Sequence, residues 1–258
     1  DNGSEASGGD DVRSPLMRLS LRMNDYNNDY DTLGQRGSFN TIGPSFASAA
    51  ASPLAFYKFY AGEGGMRVPL IIAGEALPMK GQWTNAFAYV MDIAPTILEL
   101  TGVEPPQGYY GGRPVERMTG RSLLPVAVGA EDRVYAETES VGYELAGNAA
   151  LFRGDFKLVR NYLPVGDNRW HLYNIATDPG ETQDLSESMP QRFELMQTLY
   201  ADYAAANGVL PVPAAYDATF QGVANGVRER FGPQILLALL TILTLIPFYF
   251  VYRVLNRR

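Results

Sequence analysis

The side chains that could do chemistry in this sequence are limited in type. The chain has no cysteine and a single histidine, His171, among its 258 residues. Within these residues, a thiolate nucleophile, cysteine-bound zinc and disulfides are therefore excluded, as is any chemistry that needs two imidazoles. The groups that remain are carboxylates, amides, hydroxyls and the ammonium of lysine, which bind hard cations or anionic groups.

One lysine stands beside a glycine-rich turn, in the stretch FYKFYAGEGGMRVPLII at residues 56–72. Lys58 precedes the Glu-Gly-Gly turn by five positions, and an apolar run follows the turn directly. A lysine ammonium is a compact charge that can stabilise oxygens on which negative charge develops. The alternative is a surface lysine whose stem lies between its two aromatic neighbours. We expect Glu63 and Arg67 to be structural and to pair with each other at i and i+4.

The histidine is a weaker candidate for catalysis. His171 lies in RWHLYNIATDPGE, where a strand pattern leads into a turn. We predict a satisfied or exposed strand histidine there. Thr177, Asp178 and Pro179 indicate a turn and a cap rather than a pair of catalytic carboxylates.

Composition bounds the class of protein. The chain is 46% hydrophobic and 12% aromatic, which is enough to bury a sizeable core. Its formal charge of −7 provides no basic surface for a polyanion, so we expect no nucleic-acid partner.

The segment from Gln234 to Tyr252 has no charged residue over nineteen positions. At about 1.5 Å per residue, such a helix is long enough to cross the hydrocarbon core of a bilayer. Arg253, Arg257 and Arg258 follow it, and this positive bias places the short tail in the cytoplasm and the preceding chain outside. The alternative is a buried C-terminal core helix.

The first half of the chain changes character along its length. Residues 1–52 are rich in Gly, Ser, Asn and Asp, which predicts a long irregular connection. The apolar run at 67–74 predicts a strand covered on both faces. Residues 89–102 place apolar side chains at helical spacing, with Gly102 as the stop. A strand followed by a helix is half of an α/β unit.

The second half is strand-rich. Residues 133–140, 149–163 and 169–175 predict three strands, with Gly154-Asp155 as a tight hairpin turn inside the second. Because no helix separates them, they indicate a small antiparallel sheet. The apolar spacing over 189–208 predicts a helix that covers this sheet.

The order of these pieces resembles the C-terminal half of sulfatases of the alkaline phosphatase superfamily, in particular arylsulfatase-like enzymes. The resemblance covers roughly residues 1–207, and six stretches carry it. In order they are DNG, SPLAFYKFYAGEGGMRVPLII, VMDIAPTILELTGV, TGRSLLP, ALFRGDFKLV and WHLYNIATDPGETQDL.

The resemblance implies an α/β fold. We expect the C-terminal part of a sulfatase-like α/β/α sandwich, a small antiparallel sheet with a packed helix, and a C-terminal transmembrane helix. The expected segments are 1–128 for the catalytic domain, 129–208 for the sheet-and-helix subdomain, 209–233 for a linker, 234–252 for the transmembrane helix and 253–258 for a cytoplasmic tail.

The resemblance also implies a site. Asp1 and Asn2 match an Asp-Asn pair that completes a divalent metal site, usually Ca²⁺, with Mg²⁺ as the alternative. A carboxylate and an amide carbonyl are the hard oxygen donors that such ions prefer. Lys58 matches a lysine that contacts the sulfate group of the substrate. Taken alone, Asp-Asn-Gly is a common turn.

The implied nucleophile is absent from these residues. Sulfatases mature a Cys or Ser in a Cys/Ser-x-Pro-x-Arg motif to formylglycine, and we expect that motif before Asp1. With no initiator methionine or signal peptide visible, the chain resembles a piece of a longer one. We therefore expect the complete protein to hydrolyse sulfate monoesters on the outer side of a membrane, and these residues alone to be inactive.

Two alternatives remain open at this stage. One is a phosphatase, phosphodiesterase or phosphoglycerol transferase of the same superfamily, and the other is a membrane-anchored pseudoenzyme or adhesion module. The upstream nucleophile motif distinguishes both from a sulfatase. The sequence carries no signal for the alcohol part of the ester or for an oligomeric state.

Overall fold

The computed structural model describes residues 3–6, 15–75, 77–78, 81–163, 165–213, 216 and 218–256. It divides into two compact units, Asp1–Val209 and Leu210–Arg258. The helices are α1 (Pro15–Met23), α2 (Gly43–Ala51), α3 (Glu63–Met66), α4 (Ile93–Thr101), α5 (Leu124–Ala127), α6 (Pro190–Ala206) and α7 (Ala218–Leu255). Short 3-10 turns lie at Tyr30–Thr32 and Val90–Asp92.

The strands of the first unit form two antiparallel sheets. They are β1 (Tyr109–Tyr110), β2 (Arg113–Pro114), β3 (Ser140–Leu145), β4 (Asn148–Arg153), β5 (Phe156–Arg160) and β6 (His171–Asn174). β1 and β2 make a small hairpin, and β3 to β6 make a four-stranded sheet in sequence order. Such a meander needs only short connections between neighbouring strands.

The four-stranded sheet is covered on both faces. On one face, Ala150, Phe152 and Val159 pack with Ala61 from the segment that contains α3. On the other face, Leu151, Leu158 and Leu172 pack with Met196 of α6. Because strand side chains alternate between faces, β4 and β5 each contribute to both layers of core.

The elements with strong local signals form as predicted. α4 ends at Gly102, whose φ of 67° is the left-handed C-cap that glycine favours. Gly154-Asp155 joins β4 to β5 as a tight turn, with Arg153 paired to Phe156. α6 covers the sheet as expected.

The strand prediction for residues 133–140 is wrong. β3 begins only at Ser140, where the prediction ends. The side chain of Tyr135 is partly buried by tertiary packing against the core, not by membership of a sheet. A short alternating pattern cannot distinguish these two sources of burial.

The reading of residues 1–52 as irregular throughout is also wrong, because α1 and α2 lie within that stretch. The prediction of a strand at 67–74 is wrong as well, because this run forms neither a helix nor a strand and pairs with no strand in the described part of the chain. Ile71 in this run is 86% exposed. An apolar run is buried as a strand only where neighbours supply its hydrogen bonds and cover its faces.

A buried carboxylate, that of Asp92, holds the start of α4. The carboxylate of Asp92 is fully buried and accepts hydrogen bonds from the Tyr89 N–H at 2.7 Å, the Arg121 N–H at 2.8 Å and the Tyr135 hydroxyl at 2.5 Å. Each of these donors would be costly to bury without an acceptor. Asp92 therefore joins α4 to the TGRSLLP segment.

The second unit is dominated by α7. The helix begins at Ala218, earlier than the predicted Gln234, and contains Pro233 and Pro247. Within the part of the chain that the structure describes, its stretch Arg228–Pro247 is long and apolar enough to cross a membrane, judged by length and composition.

Candidate active site

Lys58 lies in a loop of residues 52–62 between α2 and α3. The residue is half-buried, and its backbone N–H donates to the Ser4 carbonyl at 3.0 Å. Its ammonium makes no ion pair with any residue in the described ranges. The structure thus brings Lys58 beside the segment that contains Ser4, and its ammonium is available to bind an anionic ligand.

The backbone around Lys58 is strained. Phe56 and Phe59 adopt φ values of 65° and 94°, in the left-handed region that bulky L-residues rarely occupy. Each such residue costs about 1–3 kcal/mol and persists only where its surroundings enforce it. The conformation of this loop is therefore imposed by its contacts.

The glycines that follow allow α3 to approach this loop closely. A Cβ atom on Gly64 would lie 2.3 Å from the Phe56 carbonyl oxygen, and one on Gly65 would lie 2.2 Å from that of Tyr60. The Gly64 N–H donates to the Ala55 carbonyl at 2.7 Å. Only glycine fits at these two positions, because the backbone itself is the neighbour.

Two asparagines, Asn148 in β4 and Asn161 directly after β5, hold the C-terminal side of the loop. The buried Asn148 donates from Nδ2 to the Phe59 carbonyl at 3.1 Å, and its Oδ1 accepts from the Tyr162 N–H at 2.9 Å. The buried Asn161 accepts from the Ala61 N–H at 2.7 Å. These bonds fix the loop to β4 and to the segment after β5.

A buried ion cluster, formed by Glu63, Lys157, Glu181 and Arg67, lies under α3. Lys157 Nζ is 2.9 Å from Glu63 Oε1 and 2.8 Å from Glu181 Oε1. The first contact is a well-formed hydrogen bond, whereas the second is an ion pair whose angles are poor for one. Arg67 Nε lies 2.6 Å from Glu63 Oε2, which confirms the predicted i, i+4 pair.

The two carboxylates of this cluster differ in basicity. Burial alone would raise the pKa of Glu63, but the charges of Lys157 and Arg67 outweigh it and hold that pKa below its ordinary value. Burial raises the pKa of Glu181, since Lys157 only partly offsets it and the charge of Glu63 adds to it. The surroundings of Glu63 therefore favour its charged form, whereas burial works against the charged form of Glu181.

The predicted metal ligands, Asp1 and Asn2, lie outside the described residues. The Ser4 hydroxyl nearby donates to the Ala47 carbonyl at 2.9 Å, which fixes this segment against α2. Within the described ranges, no group of three or more His, Cys, Asp or Glu side chains is arranged to hold a metal ion.

His171 is satisfied, as the sequence predicts. Its Nδ1 lies 2.8 Å from Asp184 Oδ2, and its Nε2 lies 3.1 Å from both oxygens of Asp167. The Asp178 carboxylate accepts from the Thr182 and Gln183 N–H groups, as expected for a turn. Both features organise the turns around β6.

Sequence reasoning missed Lys157 and Glu181. Lys157 could have been found from the alternation of side chains along the strand, because the hairpin turn at 154–155 places it directly opposite Phe152. Its side chain must then share an apolar face with Phe152 and Val159 and must have a buried carboxylate partner. For Glu181, a turn residue by sequence, the pattern carries no equivalent signal.

The sequence of this chain is similar to a described protein family and to individual proteins. A family model described as "N-sulphoglucosamine sulphohydrolase, C-terminal" matches residues 55–205. An uncharacterized sulfatase of Schizosaccharomyces pombe is 31% identical over 232 residues, covering 89% of this chain and 41% of that protein. The arylsulfatase of Klebsiella aerogenes is 31% identical over 103 residues, covering 40% of this chain and 22% of that protein.

The chain thus spans less than half the length of these two relatives. Among solved structures, Ps i-CgsB in complex with k-i-k-neocarrahexaose aligns with a TM-score of 0.54 at 21% identity, covering 73% of this chain and 39% of that one. The similarity to this solved structure concerns the fold alone.

Proposed function

Since the chain belongs to the sulfatase family, of which it carries the C-terminal region, we propose that the protein hydrolyses sulfate monoesters. It does so as part of a longer chain, because the matched regions cover only 41% and 22% of these two relatives. The observation that carries the proposal is the position of Lys58, a half-buried residue whose ammonium has no ion-pair partner within the described residues and whose backbone contacts Ser4.

In this proposal Lys58 binds the sulfate group of the ester. Its ammonium contacts the non-bridging oxygens and stabilises the negative charge that grows there and on the leaving oxygen. A formylglycine supplied from outside these residues would provide the hydroxyl that attacks sulfur, and the alcohol of the ester would leave. The enforced loop conformation holds Lys58 ready for this contact without further ordering.

Asp1 and Asn2 complete the site as metal ligands in this proposal. Their carboxylate and amide oxygens suit Ca²⁺ or Mg²⁺. Ser4, which follows Asn2 by two residues and at most about 7 Å of chain, accepts the Lys58 N–H. That short reach supports a common site for the metal ligands and the lysine.

We further propose that α7 anchors the protein in a membrane. Its apolar stretch carries no acidic residue after Glu229, and Arg253 follows in its last turn. The positive-inside bias favours a periplasmic or extracellular catalytic part and a cytoplasmic tail.

The test is turnover by the full-length protein. We expect hydrolysis of a chromogenic aryl sulfate and, at equal concentration, much slower hydrolysis of the matching aryl phosphate. The 258-residue chain alone should give no turnover, because the nucleophile motif is not in it. Preference for the phosphate would assign the protein to the phosphate-ester branch, and inactivity with an intact metal site would favour a pseudoenzyme.

Replacing Lys58 sharpens this test. In full-length protein, Lys58→Met should lower kcat/KM for the aryl sulfate by about 10²- to 10³-fold, because a charge aimed at the developing oxyanion is removed. The matched control is Glu137→Gln, which removes one carboxylate from the exposed Arg133–Glu137 pair. An unchanged kcat/KM in Lys58→Met would reject the assigned role of Lys58.

A further inference from the structure

We propose that the buried ion cluster of Glu63, Lys157, Glu181 and Arg67 positions Lys58 for the reaction, with Lys157 and Glu181 as positioning residues. The inference rests on the proposed function, in which Lys58 contacts the sulfate group. It adds that the C-terminal sheet is part of the catalytic apparatus, because it sets the geometry of the loop that bears Lys58.

The cluster joins three segments that are far apart in sequence. Glu63 lies in α3, Lys157 in β5, and Glu181 in the turn after β6. The side chains of these three residues are at most 3% exposed, so water does not screen their charges. Arg67 extends the cluster to the surface and also donates to the Ile175 carbonyl at 3.3 Å.

Fold stability alone does not explain these charges. Lys157 lies on an apolar face, with its Nζ 5.3 Å from the centre of the Phe152 ring. Well-packed apolar side chains at such a site are often as stabilising as an ion pair, because burial of charge is costly. What the charges add here is a fixed direction, since Lys157 must face both carboxylates at once.

A short path leads from the cluster to Lys58. Glu181 Oε2 accepts the Glu63 N–H at 2.9 Å, which fixes the first residue of α3. The next residue, Gly64, donates to the Ala55 carbonyl and lies against the Phe56 carbonyl. Displacement of α3 is therefore transmitted directly to the backbone two residues before Lys58.

Because the loop is strained, it needs the contact with α3 to keep its conformation. Phe56 and Phe59, on either side of Lys58, occupy the left-handed region. If α3 were released, relaxation at Phe56 would redirect the lysine, because no ion pair within the described residues fixes its ammonium. Asn148 and Asn161 would still hold Phe59 and Ala61.

The test is a double-mutant cycle in the full-length protein with Glu181→Gln and Lys58→Met. Glutamine keeps an oxygen for the Glu63 N–H but removes the charge that faces Lys157. We expect Glu181→Gln alone to lower kcat/KM for the aryl sulfate about tenfold, the scale of a sub-ångström misplacement. In the Lys58→Met background it should lower kcat/KM no more than about twofold further, because the positioned group is gone.

Hydrogen exchange gives a readout that does not depend on activity. Amides in residues 55–66 should exchange faster in Glu181→Gln, while those of α6 should not change. Glu137→Gln serves as the control and should alter neither. If Glu181→Gln does not fold, Arg67→Gln, at a half-exposed member of the cluster, takes its place in the same cycle with an expected loss of about threefold.

The outcomes separate the two proposals. Suppose that Lys58→Met loses activity and that Glu181→Gln lowers kcat/KM by the same factor in the parent and in the Lys58→Met background. That result would overturn the positioning role and leave the proposed function intact. Unchanged exchange at 55–66 would also overturn the positioning role. Unchanged activity in Lys58→Met would overturn the proposed function, and the positioning role would fall with it.

Discussion

Glu63 and Asp92 are both buried carboxylates of the first unit, yet their partners differ in kind. Glu63 is compensated by two cations, Lys157 and Arg67. Asp92 is compensated by two backbone N–H groups and one hydroxyl. The Asp92 partners lie 3, 29 and 43 residues from it and are all neutral, whereas Lys157 brings a charge to Glu63 of α3 from β5, 94 residues away.

This difference separates two uses of a buried charge. Neutral donors around Asp92 satisfy the carboxylate and join the start of α4 to two later segments, which is enough to cap a helix and anchor a loop. The Glu63 cluster couples distant segments through charges that must be oriented together, and it ends beside the loop that bears Lys58. We therefore expect damage at Asp92 to affect stability, and damage at the cluster to affect stability and activity together.

The largest effect on stability should come from Lys157→Met. This change leaves the carboxylates of Glu63 and Glu181 buried without their shared ammonium, and removing one partner of a buried ion cluster costs about 3–5 kcal/mol. Urea unfolding of the full-length protein measures it. Adding Glu181→Gln should recover part of the loss, and a single variant as stable as the parent would contradict the charge compensation described here.

A smaller loss is expected for Asp92→Asn. One of the donors now facing Oδ1 or Oδ2 would meet an amide N–H, and leaving such a buried donor unsatisfied costs about 1–3 kcal/mol. Turnover per folded molecule should stay within about twofold of the parent, since none of these donors lies in the loop that bears Lys58. A selective fall in kcat/KM would show that the two carboxylates are not as different as the contacts imply.

The smallest effect should be a pH-dependent one at His171, which lies between Asp167 and Asp184. Burial alone would lower the pKa of His171, but the two carboxylates outweigh it and raise that pKa, while the pKa values of both aspartates are lowered. The histidine contribution is complete below its unfolded pKa, about 6.5, and is lost as pH rises through the folded value. The aspartate contribution is complete above about pH 3.9 and is lost as pH falls through the folded values.

The stabilisation is therefore greatest between about pH 4 and 6.5. After discounting for solvent, because the aspartates are more than a third exposed, it amounts to about 0.5–1 kcal/mol. Melting temperatures of His171→Gln and parent, measured from pH 4 to 9, should differ most near pH 5–6 and converge at pH 9. A difference independent of pH would assign His171 a packing role instead.

Elements with local signals were predictable from the sequence. α4, α6 and the β4–β5 hairpin follow from apolar spacing, Gly102 and the Gly154-Asp155 turn, each of which acts within a few residues. α2 was not predicted, because its run of alanine, serine and glycine has little apolar periodicity. The run at 67–74 does not form the strand that its apolar residues predict, since strand pairing depends on residues elsewhere in the chain.

The site was predictable only in part, for a similar reason. Lys58 and the close-packed glycines stand out within one short stretch, and the Glu63–Arg67 pair follows from helical spacing. The contacts of Lys157 and Glu181 with Glu63 span 94 and 118 residues, and that of Lys157 depends on the register of the sheet. Local patterns carry no information about such contacts.

The most direct test of the account is the affinity of the full-length protein for inorganic sulfate, measured as competitive inhibition of aryl sulfate hydrolysis. If Lys58 contacts the sulfate group, the inhibition constant should rise about tenfold or more in Lys58→Met, because a charge-assisted contact is lost. It should stay unchanged in Glu137→Gln. An equal inhibition constant in parent and Lys58→Met would contradict the account, because sulfate would then bind without the lysine that this loop presents.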